Sequence, residues 1–339
     1  MSTAAAAFWV VAPGEGAIRP VTVRDPGPGE VRVRTLHSGV SRGTELLVHG
    51  GHVPADQDAV MRAPHQEGDF PHPVKYGYLS VGVVEAGEPD LVGRRVFCLH
   101  PHQTAYVVPV SAVVPVPDEV PSRRAVLAGT VETAVNAAWD AAPRVGDRIA
   151  VVGAGMVGCC VARLLGGIPG VRVTLVDLDD GRAAVAEALG VDFARPSQLT
   201  SSGDHDLVVH TSATGAGLQL SLDLLGPEAS VLELSWYGDR RVELSLGGAF
   251  HSSRLRIRAS QVGAVAASRR SRRTHTERLE LALRLLADPA YDALLTGDSP
   301  FEELPGVMAR LADGSLPAVC HTVSYPPADR PPDRPHRPA

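Results

Sequence analysis

The run Arg148-Ile-Ala-Val-Val-Gly-Ala-Gly-Met-Val-Gly158, with Val171-Arg-Val-Thr-Leu-Val-Asp177 after it, leaves this chain few architectures to adopt. The stretch Ile149 to Val152 is apolar without alternation, which predicts a strand buried on both faces and so a parallel sheet. It ends in Gly153-x-Gly155-x-x-Gly158, a helix-compatible segment covers Val157 to Leu165, and a second buried strand ends at Asp177. A glycine fingerprint alone carries little weight. Strand, turn, helix and second strand ending in an acid about 20 residues on carry much more. Gly153 permits the tight turn, Gly155 lets the backbone approach a pyrophosphate, and Gly158 lets the helix lie close on the strand. The N–H groups of Met156 and Val157, at the helix N-terminus, then face the phosphates. Asp177 is placed to accept hydrogen bonds from the adenosine ribose hydroxyls and to repel a 2′-phosphate, which favours NAD(H) over NADP(H). The other reading is a doubly wound domain whose glycine turn holds nothing.

At 339 residues the chain has room for two domains. A net charge of −6 argues against nucleic acid or an anionic membrane as a general partner. No apolar run is long enough to span a bilayer, and the start Met1-Ser-Thr-Ala-Ala-Ala-Ala lacks the basic region of a signal peptide. Cys98, Cys159, Cys160 and Cys320 form no disulfide framework, so a reducing cytoplasm is the simplest compartment.

Residues 1–122 have the texture of a β module, in which short alternating runs at 31–36, 81–85 and 95–99 are separated by Gly and Pro turns such as Pro26-Gly-Pro-Gly29. Residues 51–75 show little periodicity and many His, Pro and Gly. From 123 to 262 helices and apolar strands alternate: a helix over 122–140, the strands at 149–152 and 171–177, a helix at 181–189, a strand at 206–211, a helix at 217–225, and strands at 230–236 and 255–260. That βαβ alternation predicts a parallel sheet covered on both faces. Residues 263–325 return with a helix near 274–287 and a last strand at 320–325, and 326–339 read as a disordered tail. The basic run Ser268-Arg-Arg-Ser-Arg-Arg273 reads either as a phosphate attractor or, more simply, as a solvated loop.

A β-rich N-terminal module, an embedded dinucleotide domain and a short return segment together resemble the medium-chain dehydrogenase/reductase superfamily. Val31–Val40 followed by Gly43-Thr44-Glu45 resembles the family's Gly-Ile-Cys-Gly-Thr-Asp segment, and Gly77-Tyr78-Leu79-Ser80-Val81-Gly82-Val83 resembles its Gly-His-Glu-x-x-Gly-x-Val block. Gly93-Arg94-Arg95-Val96 and Gly146-Asp147-Arg148 match its Gly-Asp-Arg turns. The block Ser38–Glu45 is most similar to the branch holding bacteriochlorophyllide dehydrogenases. The resemblance implies an α/β plus β architecture, a GroES-like catalytic domain with an embedded Rossmann domain, and hydride transfer between a nicotinamide and a small-molecule substrate. A homodimer is compatible with it.

The departures bear on the chemistry. Ser41 stands where the family has a zinc-binding Cys, Tyr78 where it has the zinc-binding His, and Leu79 at the adjoining Glu; the 127–133 region has no Cys, and no four-cysteine structural loop is present. Neutral hydroxyls are poor zinc ligands beside thiolate and imidazole, so zinc is not expected. Cys98, His100 and His102 alternate along a strand and form the one metal-like group, although such spacing splays ligands apart and a strand end lining the cleft is the plainer reading. Without zinc, a protein acid must hydrogen-bond the substrate oxygen. Tyr78 is the candidate, on the expectation that a nearby cation lowers its pKa. Ser41 and Thr44 extend a hydroxyl relay, with His37 or His100 leading to solvent. The alternative for Tyr78 is an aromatic wall. Glu132 and Asn136, four apart on a helix, can orient a polyhydroxylated substrate or the cofactor amide, or can be ordinary helix-face residues. Thr211, Ser235 and Ser260 fall at carboxyl ends of predicted strands, where ligands of α/β sheets bind, and by resemblance line the ribose and carboxamide groups. His210, in an apolar strand, reads as a satisfied core histidine.

The expected activity is interconversion of an alcohol and a carbonyl on a small polar metabolite such as a sugar, cyclitol or pterin-like compound. Reduction of an activated C=C bond and a non-enzymatic cofactor-binding scaffold are the alternatives.

Overall fold

A computed structural model describes residues 3–199 and 203–326. All of the predicted tail but Pro326 lies outside the described residues. The fingerprint region folds as its pattern requires. Strands Asp192–Ala194, Arg172–Val176, Arg148–Val152, His205–His210, Leu225–Glu233 and Arg256–Ala259 pair in that order, every neighbour parallel. The first strand of the domain, Arg148–Val152, lies at the centre with later strands added on both sides, so the order reverses beside it and opens a crevice at the carboxyl ends. The helices Met156–Gly166 and Ala128–Ala141 cover the face carrying Ile149 and Val151, and Gly215–Asp223 covers the face carrying Ala150 and Val152.

The N-terminal module is built from two antiparallel systems. Thr3–Ala12 and Glu15–Val23 form a hairpin extended by the short strands Val74–Lys75 and Glu67–Gly68. Glu30–Val40 anchors the larger sheet with Ser80–Gly87, Arg95–Cys98, Ala105–Pro109 and Val113–Pro115. The chain returns to it through Leu295–Pro300 and Cys320–Ser324, the latter pairing with Glu30–Val40.

Two helices depart from the sequence reading, and the start of the chain fills in the expected β module. The helix expected over 122–140 is two, Ser122–Ala125 and Ala128–Ala141. Between them Leu127 bonds back only three residues to Arg124, and Arg124 reaches away to Asp292 at 2.6 and 2.7 Å. The Ala-rich start of the chain is a strand, because it is zipped to Glu15–Val23 over nearly its whole length. A helix at Arg42–Gly50 follows the Gly-Val-Ser segment, where no helix was expected. The loop-like segment 51–75 contains little more than a short 3-10 turn and the two short strands.

Candidate active site and cofactor cleft

The glycine turn sits at the carboxyl end of the central strand. Gly153 has φ +110°, and a Cβ there would lie 2.7 Å from the Ser212 nitrogen, so only glycine fits. A Cβ on Gly155, by contrast, would meet nothing within 4 Å: it opens on the space in front of the N-terminus of the helix Met156–Gly166. That combination of free N–H groups, helix dipole and room for close approach fits the pyrophosphate of a dinucleotide. Asp177 follows the neighbouring strand; its Oδ2 accepts from Ala154 N at 2.7 Å and its Oδ1 from Asp179 N at 3.0 Å. A carboxylate has about four acceptor positions, so capacity for ribose hydroxyls is left over. Asp179 and Asp180 follow at once, each ion-paired, to Arg182 at 3.2 Å and to Arg195 at 2.8 Å.

The predicted strand-end hydroxyls are committed internally. Thr211 donates to the Gly153 carbonyl at 2.8 Å, locking the turn; Ser235 Oγ accepts from Ala213 N at 3.1 Å; Ser260 donates to Asp140 at 2.6 Å. His210 is the satisfied core histidine the apolar strand suggested, held between Glu233 at 2.8 Å and Ser212 at 2.7 Å.

Tyr78 and Ser41 come together, the phenol donating to Ser41 Oγ at 2.6 Å. Tyr78 is partly buried and packs on two cores, the large one that runs through both halves of the molecule and the smaller one of the N-terminal module and return segment. Its environment runs opposite to the sequence expectation. No cation lowers the phenol; burial first and the Glu45 carboxylate second push it up to about 12, against the opposing hydroxyls of Ser41 and Thr44. Leu79 points the other way, fully buried against Gly129 and Gly39. Two neutral hydroxyls bonded to each other and a leucine in hydrocarbon do not fit a zinc ion.

Cys98, His100 and His102 do not converge. Burial pushes the Cys98 thiol up to about 12, His100 stacks on Tyr106 at 3.7 Å with Nδ1 on the Pro101 carbonyl, and His102 turns to Glu45 and Ser38. Among the described residues no three His, Cys, Asp or Glu side chains are placed to hold a metal. His100, fully enclosed, gives no route to solvent; His37 is half-buried on the Glu30–Val40 strand, and burial lowers its pKa.

Glu132 also has a different engagement from the one expected. It forms a buried ion pair with Arg278 at 2.9 Å, and Asn136 Oδ1 accepts from the same guanidinium at 2.5 Å. Both residues therefore serve to dock the helix His275–Leu285 onto Ala128–Ala141. The sequence did not point to roles for Arg278, Ser38 and Tyr325, and it offered His102 as part of a strand end lining the cleft or as a metal ligand. A charged residue at a position of apolar spacing, as Arg278 is beside Leu279 and Ala282, was the available signal.

No known protein family's sequence pattern matches the chain, and no curated protein matches it. Solved structures do. L-idonate 5-dehydrogenase from Escherichia coli superposes with a TM-score of 0.78 at 14% identity, covering 96% of this chain and 99% of its own. A Sinorhizobium meliloti dehydrogenase, provisionally described as zinc-binding and bound to NADP, gives 0.77 at 16% identity over 95% and 99%. An E. coli short-chain alcohol dehydrogenase complexed with NADH gives 0.75 at 18% identity over 95% and 99%. The chain thus has the fold of the medium-chain alcohol dehydrogenase structures, a GroES-like module with a Rossmann domain set into it.

Proposed function

We propose that this protein is an NAD(H)-dependent, zinc-independent oxidoreductase acting on the alcohol/carbonyl pair of a small polar metabolite, on the branch near the bacteriochlorophyllide dehydrogenases. The observation that carries the reading is the Tyr78–Ser41 hydroxyl pair, standing where the resemblance sets metal ligands. Bound nicotinamide supplies or receives the hydride. The chain's own residues do the rest. Gly153, Gly155, Met156, Val157 and Gly158 form the cradle for the pyrophosphate and Asp177 takes the adenosine ribose, with Thr211 and Ser235 shaping the strand ends beside them. The Tyr78 O–H turns from Ser41 Oγ, its acceptor in the structure, to the substrate oxygen, and Ser41 then donates to the phenol oxygen. As negative charge grows on that oxygen, the phenol proton passes to it, and the hydroxyls of Ser41 and Thr44 stabilise the phenolate left behind until solvent restores the proton. A phenol at about 12 is still a much stronger acid than an alcohol, so this transfer is downhill in the direction of reduction. Similarity to sugar-acid and alcohol dehydrogenases supports a polar, oxygenated substrate.

The test is NADH-dependent reduction of a panel of small polar aldehydes and ketones by protein treated with a chelator. Activity should survive chelation, and Tyr78→Phe should lower kcat by about 10²–10⁴ with NADH binding intact. Turnover lost with stoichiometric zinc, or a Phe variant at full rate, would overturn the reading.

A further inference from the structure

Ser41 is the N-cap residue of the helix Arg42–Gly50, yet its hydroxyl caps nothing. A serine at that position ordinarily gives its oxygen to an N–H of the first turn. Here Glu45 reaches back instead, and its Oε1 accepts the Ser41 backbone N–H at 2.7 Å. The second carboxylate oxygen meets His102 Nε2 at 2.9 Å, with Glu45 3% and His102 1% exposed, so water does not mediate the contact. A carboxylate can only accept, which puts a hydrogen on Nε2. Ser38 Oγ lies 2.7 Å from Nδ1 of the same ring and is itself 2.8 Å from the Tyr325 hydroxyl. Tyr325, Ser38, His102 and Glu45 therefore form one continuous hydrogen-bonded chain in which each group has its partner.

The same imidazole braces the other half of the hydroxyl pair. Gly77, directly before Tyr78, has φ +130°, and a Cβ there would come 2.9 Å from His102 Cδ2. One ring thus sets both the carboxylate behind Ser41 and the backbone that delivers Tyr78.

We propose that Glu45 and His102 are positioning residues, holding the Ser41 hydroxyl out of the helix cap and against Tyr78. The inference rests on Tyr78 being the proton donor. The charged and titratable groups around this pair are Glu45 itself, Tyr76, whose ring meets that of Tyr78 edge-on at 6.0 Å, His102, and Tyr325 and Cys320 on the far side of Glu45.

Two variants of the full chain separate positioning from bulk stability. His102→Gln keeps a donor for Glu45 and an acceptor for Ser38, whereas His102→Leu keeps neither. In crystal structures, the Leu variant should show the Ser41 hydroxyl rotated into the cap and the bond to Tyr78 broken, and the Gln variant should retain that bond. Reduction should follow: kcat falls about tenfold or more in the Leu variant at unchanged KM and NADH affinity, and the Gln variant recovers most of it. A Leu variant with the Tyr78–Ser41 bond intact, or a loss spread equally over kcat, NADH binding and Tm with no recovery by Gln, overturns the proposal. If the Leu variant does not fold, Glu45→Gln decides. It keeps an acceptor for Ser41 N but removes the charge opposing ionisation of Tyr78, so the alkaline limb of the reduction profile should move to lower pH, and an unmoved limb overturns the pairing. Should the unmodified protein reduce no carbonyl, the proposed function fails, while the position of Ser41 in the variant structures still decides this inference.

Discussion

A phenol pushed up to about 12 gives Tyr78 a preferred direction of work. At neutral pH it is protonated almost without exception, with roughly one molecule in 10⁵ ionised, so it is ready to give a proton and unready to take one. Reduction needs the acid form and should therefore hold level from neutral pH upward, declining only as the pH nears the Tyr78 value. Oxidation through the phenolate should instead rise about tenfold for each pH unit over the same range. Initial-rate profiles in the two directions check this; a reduction rate that falls away near pH 8 would show that some other acid acts. Chemistry-bearing residue types at Ser41, Thr44 and Tyr78 were legible in the sequence because they interrupt a recognisable ligand pattern. The sign of the shift at Tyr78 was not legible, because it is set first by burial between distant segments and then by Glu45, which the short helix Arg42–Gly50 swings inward. Glu132 failed for the same kind of reason: its partner, Arg278, is 146 residues away along the chain.

Among elements, the strand–turn–helix at 148–166 was read nearly to the residue, since its burial on both faces and its glycine spacing are local properties. A Cβ added at Gly158 would lie 1.9 Å from the Gly153 carbonyl oxygen, a backbone atom that cannot swing aside. Gly158→Ala should cost about 1–3 kcal/mol, the usual range for overpacking. It should also weaken NADH binding, because the helix N-terminus must move away from the turn. Calorimetry and cofactor titration test it, and an unchanged Tm with unchanged NADH affinity would count against the turn geometry described here. The hairpin at the start falls within the expected β module, and its own strands were not singled out for a physical reason. Four alanines in a row favour helix by propensity, and only the pairing of Thr3–Ala12 with Glu15–Val23 makes them a strand. The helix Leu304–Ala312 went unread because it is short; it lies between Leu295–Pro300 and Cys320–Ser324, two strands that pair with each other in parallel.

At the scale of the whole molecule, Arg278 ties the return segment to the dinucleotide half. It is 1% exposed and donates to Glu132, Asn136 and the carbonyls of Val262 and Ala264. Arg278→Met would leave Glu132 charged and buried without a partner, a situation that costs about 3–5 kcal/mol. Pairing it with Glu132→Gln should return much of the loss. The pH dependence has a definite sign. Burial already raises the Glu132 carboxyl, against the pull of Arg278, and without the guanidinium it rises further. A carboxyl whose folded pKa is raised binds protons better in the folded state, so its penalty is felt above that range and fades as pH falls through it. The single variant should therefore lie closest to the unmodified protein at acidic pH, as thermal melts across pH would show; a deficit that grows on acidification would contradict the arrangement.

Leu79 has a consequence for how such a chain can be altered by exchange of parts. Its side chain is enclosed by Gly39 and Val126 on one side and by Gly129 on the other, and the core it belongs to runs without interruption from Val81, Phe97 and Val114 to Ile149, Val151 and Leu175. The two halves share one interior, with hydrocarbon at the seam where the resemblance would set an acid. A dinucleotide domain grafted in from another chain would have to bring its own match to that leucine, so the halves of this protein are not interchangeable cassettes.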